Sequence, residues 1–216
     1  MVFYKKYENG LKVVVNKMNG VMSVSVGIMV GAGSYLENHK NNGISHFIEH
    51  TTFKGTEKLS SFEVSESFEE IGSQVNAFTS KETTCYYVKS TEMALERSFE
   101  ILSDMFLNSV YKKEELEKEK GVVIEEINMC NDTPEEVCLD CLSEAYFGDE
   151  GLGRAILGPI KNIKSFTKND IDEFRRDYYN ADNIVISFAG NIDENKAITL
   201  VEKYFAPYIS SEKSKE

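Results

Sequence analysis

The sequence predicts an α+β fold, a mostly antiparallel β-sheet covered by helices, and three observations predict it. Asn9-Gly10 follows Glu8 between two β-forming runs, a strong hairpin signal. Residues 75–80 and 84–90 form a second pair of strand-like runs with Lys81-Glu82 between them. Most of what remains is a succession of segments with helical periodicity, which is how helices are segregated onto an antiparallel sheet. No Pro- or Ser-rich linker interrupts the chain, so residues 1–209 are read as one domain and 210–216 as a frayed polar tail.

The first two strands are 3–7 and 11–16. Residues 21–30 alternate Val and Ser before turning continuously apolar, as a central strand does. Gly31-Ala32-Gly33-Ser34 ends that strand; it lacks the third glycine and the following helix of a dinucleotide loop and reads as a bend. A polar loop leads into a helix around His46. Ser60 and Glu63 form a capping box that opens the next helix, and Gly72 stops it. Residues 93–107 and 113–129 are helical by period. Thr133 and Pro134 supply an N-cap and a first-turn proline for a helix reaching Phe147. Residues 148–158 are a glycine-rich loop, 160–166 a short irregular segment, 169–179 a helix, 184–189 a buried strand and 194–204 a last helix.

A chain of 216 residues, 41% hydrophobic and 28% charged, can bury a proper core. Its net charge of -12 disfavours nucleic acid and anionic membranes and favours cationic ligands at long range. No apolar run is long enough to span a bilayer, and no secretory signal is expected. Four scattered cysteines make no disulfide framework. Cys138 and Cys141 form a CxxC inside a helical pattern, without the strand of a redox motif, and read as buried reduced thiols. A cytoplasmic location is expected.

The chemistry concentrates in His46-Phe47-Ile48-Glu49-His50, which holds two of the three histidines. On a helix, positions four apart share a face, so His46 and His50 can aim both imidazoles at one point with Glu49 close by. Two neutral nitrogens and an adjacent carboxylate suit a divalent metal and a proton acceptor for water. The order H-x-x-E-H is the inverzincin signature. The bare pattern is also what a solvated surface pair would show; the apolar setting of Ile44, Phe47, Ile48 and Phe53 argues for a paired, inward-facing cluster. His39 lies in the polar loop and reads as solvated. The missing ligand is therefore a carboxylate from elsewhere. Leu116, Val123 and Ile127 mark the buried stripe of the 113–129 helix, with Glu119 and Glu126 seven apart beside it. Glu125 falls about a hundred degrees round from Glu126. Periodicity alone prefers Glu126 only modestly.

Four stretches together resemble the N-terminal domain of the pitrilysin/insulysin zinc metallopeptidases (M16), in the branch containing mitochondrial processing peptidase and its bacterial relatives. They are His46 to His50 with Phe53-Lys54-Gly55-Thr56, Gly72 to Ser80, Glu115 to Ile127, and Gly151-Leu152-Gly153-Arg154 through Gly158. They come in the family's order and span most of the chain. The resemblance implies the LuxS/MPP-like metallohydrolase fold. It implies one Zn²⁺ held by His46, His50 and Glu126, with Glu49 as general base and Glu119 orienting a ligand histidine. Mn²⁺ or Co²⁺ would also suit two nitrogens and an oxygen. It further implies that a peptide or unfolded polypeptide adds as a strand beside Asn76, Ala77 and Phe78.

Family members usually close two such domains around the peptide, so the chain is expected to be part of a longer protein or to need a second M16-type domain or subunit. Alone it would bind zinc and cleave poorly. Two other classes compete: a non-catalytic scaffold subunit of the same fold, whose metal motif is typically degraded, and a small-molecule metal hydrolase. The intact motif argues against the first, and an edge strand able to pair with peptide argues against the second.

Overall fold

The computed structural model describes residues 2–209; the polar tail expected at 210–216 lies outside them. The strands are β1 (Val2–Lys6), β2 (Lys12–Lys17), β3 (Ser23–Val30), β4 (Gln74–Thr79), β5 (Thr84–Thr91) and β6 (Ile184–Gly190). They form one sheet in the order β1-β2-β6-β3-β5-β4. Four of its pairings are antiparallel; β6, the last strand in sequence, runs parallel to β2 and antiparallel to β3. Val24, Val26, Ile28 and Val30 of β3 are wholly buried, as the Val/Ser alternation predicts for a strand with one face on the core.

The helices are α1 (Ile44–Thr52), α2 (Ser61–Glu70), α3 (Leu95–Asn108), α4 (Lys113–Asn131), α5 (Pro134–Phe147), α6 (Ile160–Ser165), α7 (Lys168–Tyr178), α8 (Glu194–Tyr204) and the short α9 (Ala206–Ile209). One continuous core lies between the sheet and these helices. It is rich in aromatic rings: Phe99 packs on Phe188 and Phe205, and Phe106 on Tyr86 and Tyr179. The capping box of Ser60 and Glu63 is present, with Ser60 accepting from the Glu63 N–H. Thr133 occupies the N-cap position of α5, but its hydroxyl donates back to Met129 O and caps nothing.

Two expectations are corrected. The segment 160–166 is not irregular: Ile160–Ser165 is helical, with Asn162 and Ile163 buried against the rest. The CxxC is not buried. Helix α5 contributes no buried residue, so Cys138 and Cys141 face solvent; only Cys85 is buried, and all four thiols are free. Among the described residues no helix is long and apolar enough to cross a membrane.

Strand β4 closes one side of the sheet and, among the described residues, pairs only with β5. The Ser80 N–H donates to Thr83 O at 2.8 Å across the connecting turn. In an antiparallel ladder, hydrogen-bonded and non-bonded pairs alternate from there. Ala77, opposite Tyr86, and Thr79, opposite Thr84, therefore turn their backbone N–H and C=O toward the free edge.

Candidate metal centre

Helix α1 is held at its N-terminus by a buried carboxylate. Gly43, the N-cap, has a φ of 97° and offers no side chain, and a Cβ there would lie 2.6 Å from Leu157 O. Glu37 fills the role from upstream: its Oε2 accepts the Gly43 N–H and its Oε1 the Ser45 N–H, both at 2.8 Å. The Asn42 amide also donates to Glu37, and Arg154 donates to the Glu37 carbonyl. Gly158 lets the 150s loop approach, since a Cβ there would collide with Asn42 O. These contacts fix the start of α1 and hence the direction of its two histidines.

His46 and His50 lie one turn apart, their rings tilted by 58° with centroids 4.5 Å from each other. Helix α4 packs against α1, burying Leu116, Val123 and Ile127 and bringing Glu119 and Glu126 over the rings. Glu126 Oε2 lies 3.4 Å from His50 Nε2 and 3.7 Å from His46 Nε2. The three ligand atoms all fall within 4.8 Å of one another. Ligands at zinc's 2.0–2.1 Å bond lengths in a tetrahedron sit about 3.3 Å apart, so the trio is spaced to share one ion and leave a fourth position open. Glu125 is exposed and takes no part.

Around this trio the partners are specific. His50 Nδ1 faces Glu119 Oε1 at 2.9 Å, and Lys54 Nζ grips Glu119 Oε2 at 2.7 Å. That bond assigns the proton to Nδ1 and leaves the Nε2 lone pair toward Glu126. Glu119 is 4% exposed; burial alone would raise its pKa, but the bonds to His50 and Lys54 lower it on balance. Burial and the neighbouring His50 push His46 down to a pKa of about 3, so its imidazole is neutral at pH 7, as a ligand must be. His50 goes the other way: burial opposes its charge, but Glu119, Glu126 and Glu49 outweigh that and raise its pKa. Burial raises the Glu49 pKa, partly offset by a hydrogen bond from Thr79.

A cavity of about 360 Å³ opens beside the cluster, lined by His46, Glu49 and Glu126 from α1 and α4 and by Ala77, Phe78 and Thr79 from β4. Glu136 and Asp140, four apart on α5, add two more carboxylates to its wall. Ala77 and Thr79 direct their side chains to the helical side of the sheet. Asn76 and Phe78 project from the opposite face, Phe78 45% exposed at the rim. His39 is away from the cluster, facing Asp149 at 3.3 Å. Sequence reasoning missed Glu37, Lys54, Thr79, Glu136 and Asp140. The signals available were the i, i+4 spacing of the last pair and the place of Lys54 and Thr79 inside the stretches that carry the resemblance.

Residues 12–160 match the family model of the insulinase family of peptidases, M16, and residues 165–216 match that of the M16 inactive domain. An uncharacterized zinc protease of Bacillus subtilis, YmxG, is 45% identical over 206 residues, 94% of this chain and 50% of that protein. The mitochondrial-processing peptidase subunit beta of Saccharomyces cerevisiae is 41% identical over 96% of this chain and 45% of its own length. The chain thus spans about half the length of these relatives. Among solved structures, a protease from Helicobacter pylori superposes with a TM-score of 0.85 at 25% identity, over 100% of this chain and 52% of that one. A peptidase M16 inactive domain from Pseudomonas fluorescens gives 0.90 at 16% identity, over 100% and 53%. The second likeness concerns the fold alone.

Proposed function

The chain belongs to peptidase family M16, and from that premise we propose that it is the zinc-bearing domain of an endopeptidase that takes its substrate as an added strand on β4. Since an inactive domain shares the fold, the reading cannot rest on architecture. It rests on one observation: two imidazole nitrogens and a carboxylate oxygen spaced for a single ion, with the edge strand β4 on the same cavity.

Zinc held by His46, His50 and Glu126 would acidify a water and polarise the scissile carbonyl. Glu49, raised in pKa by burial, is poised to take the proton from that water and return it to the leaving nitrogen. Glu119, anchored by Lys54, keeps His50 in the tautomer that presents Nε2. The outward backbone groups of Ala77 and Thr79 give a peptide main-chain bonds without a sequence requirement, while Asn76 and Phe78 meet its side chains from the other face. Glu136 and Asp140 place negative charge where a substrate side chain would enter, which favours a basic residue there and agrees with the chain's charge of -12. The cavity is open on one side, so a second M16-type domain would supply enclosure and further oxyanion donors. A reducing, cytoplasmic setting, where thiols stay reduced, is part of the proposal.

The test is Glu49→Gln. Zinc content should match the parent while hydrolysis of a quenched fluorescent peptide falls by a factor on the order of 10² to 10⁴. Parental turnover in that variant would end the reading.

A further inference from the structure

Thr79 belongs to two systems at once. Its hydroxyl donates to Glu49 Oε2 at 2.5 Å, the hydrogen bond that joins β4 to α1 at the base. Its backbone lies at the free edge, where an added strand would pair. The side chain is β-branched and half-buried, so the hydroxyl has little freedom to turn elsewhere. A carboxylate acting as a base needs one oxygen toward water. Holding the other oxygen from β4 fixes which one that is.

We propose that Thr79 is a positioning residue: it orients Glu49 for proton transfer and ties that orientation to the strand on which the substrate is laid. The inference rests on Glu49 being the base, as proposed above. Without the hydroxyl, the Glu49 carboxylate is free to rotate toward the histidines or bulk water, and bound peptide no longer finds the acceptor in place. The Thr79 hydroxyl bonds Glu49 and not one of the three metal-ligand side chains, so zinc should be held as before.

Thr79→Val keeps shape and strand propensity while removing the donor. In the full-length, zinc-loaded protein, kcat should fall about 10- to 100-fold, the range seen for outer partners of a reacting group. KM and the zinc dissociation constant should each stay within about twofold of the parent, because the lost bond serves neither ligand nor substrate directly. Thr79→Ser should recover most of the loss. Crystals of zinc-loaded Thr79→Val give a readout independent of turnover: the Glu49 carboxylate should leave its parental position. Unchanged kcat, a loss confined to KM, an equal loss of zinc affinity, or an unmoved Glu49 would each overturn the proposal. Glu49→Gln measured alongside separates the two failures. If that variant is inactive and Thr79→Val is not, only Thr79's role falls; if Glu49→Gln is fully active, the base assignment falls first.

Discussion

Two of the buried polar clusters among the described residues are built to opposite ends. Around α7, Arg175 lies among the rings of Phe106, Tyr111 and Tyr179, its guanidinium carbon 4.7 to 5.8 Å from their centroids. One amino group donates to Phe106 O; the other has no hydrogen bond and sits against ring faces instead. Burial opposes its charge, yet the surrounding phenols raise its pKa. At α1 and α4 the imbalance is reversed. Two imidazoles and three carboxylates meet, and Lys54 is the cation paired with them among the described residues. The first cluster meets its single cation with ring faces and one carbonyl. The second has acceptors left over, aimed at one point beside an open cavity. Buried polar groups thus point to a ligand when several lone pairs converge on one point beside open space, as His46, His50 and Glu126 do.

Substitutions should separate the two clusters. The largest effect is expected from Glu126→Gln: zinc affinity, measured against a competing chelator, should drop more than about 100-fold, since even outer partners of metal ligands are worth 10- to 100-fold. Glu119→Gln should fall within that smaller range, because it loosens the His50 tautomer without removing a ligand. Parental zinc affinity in either variant would put the surplus down to something other than a metal. Arg175→Met should leave zinc affinity untouched and lower unfolding free energy by about 2 kcal/mol, as expected of a desolvated cation over aromatic rings; a change in zinc binding there would erase the distinction.

A further difference is in acid. The native His46 pKa of about 3 lies below its unfolded value near 6.5, so between those limits the unfolded chain binds a proton that the folded chain refuses. That contribution makes the metal-free protein gain stability as pH rises through the window, by at most about 1.4 kcal/mol per pH unit. The raised pKa of His50 has the opposite sign: its contribution is full below the unfolded pKa and is lost as pH climbs through the native one. Urea midpoints of metal-free His46→Gln should therefore show a shallower acid limb than the parent.

Much of this was legible in sequence wherever the information was local. Helical spacing alone brings His46 and His50 together, and the β3 alternation names its buried face. Periodicity put Glu119 and Glu126 beside the buried stripe of α4 but could not choose firmly between Glu126 and Glu125; the resemblance did that. What stayed hidden depends on distant packing. Nothing near residue 184 says that β6 will insert between β2 and β3. Thr79 meets Glu49 from 30 residues away, and Glu37 caps a helix whose own N-cap is a bare glycine. The CxxC was misread because the apolar residues of α5 suggest burial, whereas Leu139, Leu142 and Tyr146 are all exposed.

A free sheet edge is open to the same edge of another molecule, and two such chains would zip into one continuous sheet. Here the Asn76 carboxamide folds back to accept the Ala77 N–H at 2.8 Å, blunting the outward row at its middle. That small stopper makes self-association a contest the visitor should win: an incoming strand with a basic residue gains the acidic wall of α5 as it displaces Asn76, whereas a second copy brings only more negative charge. Resistance to self-pairing thus depends on the same edge that the proposed function assigns to substrate.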